Sequence, residues 1–342
     1  MKISDFLGTR RVITFTGLAK NAGKTTAMRT ALSELTSRGE KCGVTSSGRD
    51  GESFDVLNQD IPKPQIFIPA GNLVATTDRL LAKSTTPYQR IENTKYRTPL
   101  GRVVIAETLQ GGNFEVAGPS TASGVRIVAQ RMRELGAHRV LVDGAINRQA
   151  AASPQVCDGV VLSTGAILSP NLEAVVQETK KRVELYCLPQ VEDTSIPQLF
   201  SETKSLTLVN EDHHIIPVNA PSVLDAGKMV AQLIEKSTRW VLIPTAAADH
   251  LLEPLALLKR QSRLTIVIAD ATKIFISLSK LDLYRESGLD LRVIHPLSLL
   301  CATANPASPG KHQFEPSEFI RQLSLALPGM PVLDVVSGQS LL

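Results

Sequence analysis

The sequence predicts an α/β fold, with a doubly wound, mostly parallel sheet followed by a smaller C-terminal α/β domain. Short apolar runs rich in β-branched residues alternate along the 342-residue chain with segments whose apolar residues recur at helical spacing. This alternation is typical of βαβ units. Several apolar runs end in polar, glycine-bearing stretches. Because ligands gather at the carboxyl ends of parallel strands, these stretches are the first place to look for function.

Composition narrows the classes of function. Hydrophobic residues make up 43% and charged residues 20% of the chain, as in an ordinary globular protein. Aromatic residues make up only 4% and the net charge is only +4, which argues against a nucleic-acid partner. The apolar runs are too short to span a bilayer, and the N-terminus does not read as a signal peptide. The four cysteines lack C-x-x-C spacing, so we expect buried free thiols in a cytoplasmic protein without a membrane partner.

The first strand and its following loop carry the strongest signal. A β-rich run over 12–16 meets Gly17, then Gly23-Lys24-Thr25-Thr26, and a helical pattern runs from Ala27 to about Arg38. A strand, a glycine loop and a helix in this order are typical of a phosphate-binding loop, or P-loop. Its backbone N–H groups converge on one concavity, to which the helix N-terminus adds partial positive charge. The residues expected to bind the nucleotide are Gly17, Lys20, Asn21, Ala22, Gly23, Lys24, Thr25 and Thr26.

Two of these side chains have specific predicted roles. Lys24 is expected to reach the β- and γ-phosphates, and the Thr25 hydroxyl to hold Mg²⁺. Five residues separate Gly17 from Gly23, where the common pattern has four. We therefore expect the chain to bind a nucleoside triphosphate, with ATP and Mg²⁺ as its cofactors, on a sheet of P-loop NTPase type.

A short second strand over 41–46 ends in a polar loop over 47–52. Asp50 and Glu52 are candidates for holding Mg²⁺ or its waters, and Arg49 for a phosphate or an acidic substrate. A solvated turn is an equally good interpretation of each residue. The region over 54–119 is less regular and is interpreted as an insertion that sets specificity.

Glu107, which ends an apolar run within this insertion and precedes Gly111-Gly112, is a candidate partner for phosphate or substrate. It fits a solvated strand face equally well.

The next helix is predicted from Ser120 through Leu135, and the strand after it ends in Asp143. A hydrophobic strand that ends in a carboxylate is the Walker B pattern, whose acid holds Mg²⁺ directly or through water. Asp143 is therefore predicted to be catalytic together with Lys24, and to bind the metal together with Thr25 and Asp50.

Strands and helices continue to alternate to the C-terminus, and a domain boundary is predicted near residue 235. The prediction is a P-loop nucleotide-binding domain over 1–235 and a C-terminal α/β domain over 236–342. Asn210 could lie near the nucleotide base, although a turn residue is the favoured interpretation. The polar breaks Asp270–Lys273 and Thr303–Pro306 suit a ligand pocket or a partner surface. The predicted elements beyond Asp143 are strands over 157–163, 205–210, 214–218, 240–244, 264–269, 273–277, 291–295, 299–303 and 331–335, and helices over 171–185, 249–260 and 316–327.

The loop with its five-residue spacer resembles that of dethiobiotin synthetase and the cobyrinic-acid amidoligases, within the signal-recognition/MinD-like class of P-loop proteins. The whole chain resembles the P-loop subunit of the reactivating factor for adenosylcobalamin-dependent lysine and ornithine aminomutases. The segments that carry this second resemblance are 17–26, 45–52, 142–145 running into 153–154, 163–166, 272–275 and 303–306.

The resemblance implies a function that spacing alone does not. Such a factor uses ATP to open an inactivated mutase, release its damaged cobalamin and admit a fresh one. The partners implied are the aminomutase, a second reactivase subunit or both, and a homodimer is expected by analogy with the P-loop class.

Two alternatives stay open at this stage. One is an ATP-dependent carboxylate ligase of the dethiobiotin synthetase type, with Arg49, Glu107 and Gly111-Gly112 contacting the substrate. The other is a nucleotide-sensing switch without substantial turnover.

Overall fold

A computed structural model of the chain describes residues 1–47, 65–144, 149–220, 222, 224–258, 264–309 and 312–341. These residues form two compact units. The larger comprises 1–180 and 298–342, and the smaller comprises 181–297. The smaller unit is thus internal to the chain, whereas the sequence placed a boundary near residue 235 and assigned everything beyond it to a C-terminal domain.

The strands of the described residues fall into one large sheet, one five-stranded sheet and two short ribbons. In chain order they are β1 (Val12–Gly17), β2 (Cys42–Ser46), β3 (Ile66–Ile68), β4 (Leu73–Thr77), β5 (Tyr88–Thr98), β6 (Gly101–Thr108), β7 (Gly112–Phe114), β8 (Arg139–Asp143), β9 (Gly159–Gly165), β10 (Thr207–Asn210), β11 (Ile215–Pro217), β12 (Thr238–Ile243), β13 (Ala247–Ala248), β14 (Leu264–Ile268), β15 (Ile274–Phe275), β16 (Leu289–Val293), β17 (Leu299–Asn305), β18 (Val332–Leu333) and β19 (Ser340–Leu341).

The α-helices of the described residues are mostly short. In chain order they are α1 (Ile3–Phe6), α2 (Lys24–Ser37), α3 (Asp78–Leu81), α4 (Ala122–Glu134), α5 (Leu172–Tyr186), α6 (Ile196–Glu202), α7 (Ala226–Leu233), α8 (Asp249–Ala256), α9 (Leu281–Glu286) and α10 (Pro316–Ala326). Within the described ranges, no helix combines the length and the apolar character needed to cross a membrane.

The larger unit is built on the ten-stranded sheet, in the order β19-β18-β17-β9-β1-β8-β2-β4-β6-β5. The strands from β18 to β4 in this order run parallel. At the two edges β19 pairs antiparallel with β18, β6 pairs antiparallel with β4, and β5 pairs antiparallel with β6. The predicted α/β chain with a large, mostly parallel sheet is therefore confirmed. Strands β4, β5 and β6 come from the predicted insertion and extend this sheet.

Burial explains why β1 and α2 form where they do. Every residue of β1 except Gly17 is buried, as expected for a strand in the middle of a parallel sheet. Helix α2 buries one apolar stripe at helical spacing: Ala27, Met28, Ala31, Leu32 and Leu35. The helix begins at Lys24, three residues before its predicted start. Gly23, which precedes Lys24, has a left-handed backbone and is therefore not part of the right-handed helix.

The smaller unit has its own sheet, in the order β11-β10-β12-β14-β16. Strands β12, β14 and β16 are parallel, and β10 and β11 are antiparallel to their neighbours. Its own apolar core forms around side chains such as Leu208, Leu252, Ile266 and Tyr284. A segment that lies in the chain between two strands of a sheet can fold as a compact unit when it has its own core.

The cysteines allow a test of burial that does not involve function. All four are free thiols, and Cys42, Cys157 and Cys301 are buried, whereas Cys187 is exposed. Burial raises the pKa of Cys42 and of Cys301 to about 12, so at pH 8 both remain protonated and unreactive. We expect iodoacetamide at pH 8 to alkylate Cys187 first and the buried cysteines only after unfolding, as measured by peptide mass spectrometry. Equal labelling of Cys42 and Cys187 in the native protein would contradict this burial.

Candidate phosphate-binding site

Four strands of the larger sheet bring their carboxyl ends to one edge. Strand β1 lies between β8 and β9, and β17 lies beyond β9. In this register Phe15 lies beside Asp143, and Gly17 lies beside Ser163. The loop that follows β1 therefore has the end of β8 on one side and the ends of β9 and β17 on the other.

The loop between β1 and α2 is held by its backbone. The Leu18 N–H donates to the Ser163 carbonyl at 3.0 Å, and the Ala22 N–H donates to the Ala19 carbonyl at 3.3 Å. Asn21 has φ +66° and Gly23 has φ +98°, both in the left-handed region. Left-handed residues interrupting such a turn curl the chain into a concavity that can bind an anion.

The N-terminal turn of α2 faces the end of this loop. Its preceding residue, Gly23, supplies no side-chain cap, and the Ala27 N–H donates to the Gly23 carbonyl at 2.9 Å. The N–H groups of Lys24, Thr25 and Thr26 precede the first intrahelical donor, Ala27, and have no acceptor within the helix, so they remain available to a ligand. Such a turn favours phosphate through both its N–H groups and its dipole.

Lys24 and Asp143 form the central ion pair of the site. The Lys24 Nζ donates to the Asp143 Oδ1 at 2.5 Å, and each side chain is only 19% exposed. Asp143 is held next to the loop because β8 approaches β1 closely at its end. There the Gly144 N–H donates to the Phe15 carbonyl at 2.9 Å, and a Cβ on Gly144 would lie 2.8 Å from that oxygen. A larger residue at position 144 would push the end of β8 away.

The other predicted nucleotide-binding residues surround this pair along the chain. Lys20, Asn21 and Thr26 are exposed, Ala22 is buried, and Gly17 and Thr25 are half-buried. Thr25 lies in the first turn of α2, directly after Lys24. Asp50, the third predicted metal ligand, lies outside the described residues, as do Arg49 and Glu52.

The ends of β9 and β17 support the loop on its other side. Hydroxyls of Ser163 and Thr303 form a buried hydrogen bond at 2.7 Å between these strands. Two residues further along β17, the Asn305 Nδ2 donates to the Asn21 carbonyl at 3.1 Å. The sequence placed Thr303–Pro306 in a separate domain, so it did not predict that Asn305 contacts the loop. The polar residues after an apolar run at 303–306 did indicate a functional site, but they did not indicate that this site is the loop over 17–26.

Other predicted candidates lie elsewhere. Glu107 pairs with Leu73 at the amino end of β4 and forms an ion pair with Lys41 at 2.9 Å. That is the sheet edge opposite the loop, so a contact between Glu107 and a ligand in the loop is ruled out. Asn210 belongs to the smaller unit, where its Oδ1 accepts a hydrogen bond from the Thr238 hydroxyl.

The donor set can be compared with what magnesium requires. No cluster of three or more His, Cys, Asp or Glu side chains able to hold a metal occurs among the described residues. Mg²⁺ in nucleotide sites uses one or two carboxylates, keeps several waters and takes its other ligands from the phosphates. The Asp143 carboxylate and the Thr25 hydroxyl are hard oxygen donors of this kind, so the residues present fit a magnesium–triphosphate complex.

No model of a known protein family matches the chain, and no functionally curated protein matches it.

Proposed function

We propose that the chain binds ATP with Mg²⁺ at residues 17–26 and hydrolyses it. The observation that carries this proposal is the ion pair of Lys24, the first residue of α2, with Asp143, the last residue of the adjacent parallel strand. A cation from the loop and a carboxylate from the neighbouring strand thereby meet where a phosphate and its metal ion would lie. Charged side chains are seldom largely buried unless they are paired, and here Lys24 and Asp143 are each other's partner.

Each residue has a distinct task in this proposal. The loop N–H groups and Lys24 hold the phosphates, and Thr25 and Asp143 hold the metal ion. Lysine is a flexible point charge, so Lys24 can exchange the Asp143 carboxylate for phosphate oxygens when the nucleotide arrives. A bound Mg²⁺ would neutralise charge on the phosphates, and the chain's own residues would supply the positioning and electrostatic stabilisation that phosphoryl transfer to water needs, without a covalent intermediate.

We also propose that ATP turnover drives cobalamin exchange in an aminomutase, as the resemblance to a reactivating factor implies. The support is that three segments of that resemblance, far apart in sequence, adjoin one another: the loop over 17–26, Ser163–Ala166 and Thr303–Pro306. In this proposal nucleotide state switches a surface that acts on the mutase or on a second subunit in the cytoplasm. The ligase alternative loses one of its predicted substrate contacts, because Glu107 lies at the opposite edge of the sheet.

Phosphate release from ATP tests both levels of the proposal. We expect slow basal hydrolysis by the purified chain, and faster hydrolysis with recovered mutase activity when a turnover-inactivated, cobalamin-dependent aminomutase is added. The Lys24→Ala protein, purified identically, controls for a contaminating ATPase. Basal hydrolysis without stimulation or recovery would overturn the reactivase proposal alone and direct the search to carboxylic-acid substrates. An absence of nucleotide binding would overturn the nucleotide site itself.

A further inference from the structure

Asn305 touches the phosphate-binding loop at two places. Its side-chain Nδ2 donates to the Asn21 carbonyl at 3.1 Å. Its Cβ lies against Gly23, where an added Cβ would come within 3.2 Å of it. Both contacted residues, Asn21 and Gly23, have left-handed backbone conformations. The end of β17 therefore meets the loop at the residues that give the loop its shape.

The contact with Asn21 orients a peptide unit. The carbonyl of Asn21 and the N–H of Ala22 belong to one planar group, so fixing either atom fixes both. Asn305 holds the oxygen, and the Ala19 carbonyl accepts the Ala22 N–H at 3.3 Å. Asparagine is one of the few residues other than glycine that adopt a left-handed conformation. The hydrogen bond from Asn305 to the Asn21 carbonyl favours this conformation of Asn21.

Asn305 is itself firmly placed. Its Oδ1 accepts a hydrogen bond from the Ala307 N–H at 3.2 Å, which directs the Nδ2 donor toward the loop. Its backbone carbonyl accepts from the Ala166 N–H at 2.9 Å, and it pairs in register with Gly165 of β9. The amide thus projects from a sheet position supported by its neighbours, as a preorganising contact requires.

We infer that Asn305 is a positioning residue that holds the loop over 17–23 in its anion-binding conformation before the triphosphate arrives. This inference rests on the proposed nucleotide site and adds a residue 284 positions away in the chain from Asn21. Preorganisation of a binding loop raises affinity for the phosphates in the ground state and the transition state alike. Asn305 therefore sets the affinity and KM for the triphosphate and leaves kcat unchanged.

The test compares Asn305→Ala and Asn305→Asp with the native chain. The alanine variant loses one donor, so the Kd and KM for Mg–ATP are expected to rise about tenfold with kcat within about twofold. The aspartate variant is nearly isosteric but places an anionic oxygen against the Asn21 carbonyl and near the phosphates, so its affinity loss is expected to be larger. A purely structural residue would instead lower thermal stability without this separation of KM from kcat.

A matched control removes a polar contact from the same strand pair. Thr303→Val deletes the buried hydroxyl contact with Ser163 but leaves every Asn305 contact with the loop. We expect it to lower the melting temperature and to leave the Kd for Mg–ATP unchanged. An affinity loss in Thr303→Val equal to that in Asn305→Ala would overturn the inference, because general loosening of β17 would then explain both.

Inorganic tripolyphosphate separates loop positioning from a contact with the nucleoside. If Asn305 positions the loop, Asn305→Ala weakens tripolyphosphate and ATP by the same factor. If tripolyphosphate affinity is unchanged while ATP affinity falls, Asn305 contacts the nucleoside and the inference is wrong. Unchanged affinity of both Asn305 variants for both ligands also overturns it while leaving the nucleotide site intact. Failure of the native chain to bind either ligand overturns the nucleotide site as well.

Discussion

The Lys24→Ala protein is expected to stay folded but to lose triphosphate binding and hydrolysis at nucleotide concentrations that saturate the native chain. Lys24 begins α2, and its ammonium group is the cation paired with Asp143 in the site. Loss of a charged hydrogen bond to the phosphates weakens affinity by about 100-fold. Isothermal titration calorimetry with Mg–ATP and circular dichroism measure the two parts of this prediction. Near-native affinity in a folded Lys24→Ala chain would refute the assignment of the loop.

The chain offers a control of the same chemistry at the other edge of the sheet. Lys41 and Glu107 form an ion pair at 2.9 Å, with side chains 30% and 32% exposed. Lys41→Ala removes the same charge from the protein and the same type of contact, but far from the loop along the strands. We expect Lys41→Ala to leave ATP affinity and hydrolysis unchanged. An equal loss in both variants would mean that net charge, and not the position of Lys24, controls binding.

Replacement of Asp143 with asparagine is expected to separate metal dependence from nucleotide affinity. Hydrolysis should fall roughly 10²–10³-fold, the usual effect of removing one electrostatic contact to a reacting group. Without Mg²⁺, however, ATP should bind Asp143→Asn more tightly than it binds the native chain. The carboxylate repels the phosphates and competes with them for Lys24, and asparagine removes both effects.

Titration of ATP into each protein, with Mg²⁺ and with a chelator, measures how the effect of Asp143→Asn on ATP affinity depends on the metal ion. The Glu107→Gln protein, which alters the carboxylate of the distant pair in the same way, should show native metal dependence and native hydrolysis. If Asp143→Asn keeps native hydrolysis and native dependence on Mg²⁺, Asp143 is not the acid that serves the metal ion.

The contiguous part of the site was predictable because its signal is local. The strand Val12–Gly17, the loop and helix α2 follow one another directly, so their order alone placed Lys24 just before a helix, which in the structure begins at Lys24 itself. Asp143 was recognisable as a carboxylate that ends an apolar strand. The structure brings these two residues together, whereas their roles with nucleotide and metal remain predictions. The predicted ligand Asp50 lies outside the described residues.

The division of the chain was harder to predict because it depends on pairing between distant strands. The run over 299–303 was predicted as a strand of the C-terminal domain, and it is a strand. Its neighbour, however, is β9 of the large sheet, with Thr303 beside Ser163. Apolar strands of either unit have similar composition, so composition could not tell which sheet receives β17. Because strands and helices keep alternating beyond residue 235, the sequence suggested a separate C-terminal domain there. The compact units instead comprise 1–180 with 298–342, and 181–297.

Local sequence patterns indicated an α/β chain, a glycine loop between a strand and a helix, and a lysine and a carboxylate of the types that bind phosphate and metal. These properties depend on residue spacing within one turn or one strand. The return of β17 to the large sheet, the contact of Asn305 with Asn21 and the position of Glu107 at the opposite edge depend on the three-dimensional fold. Strand order and direction are set by burial of whole apolar faces across the sheet, and that selection cannot be read from any single segment.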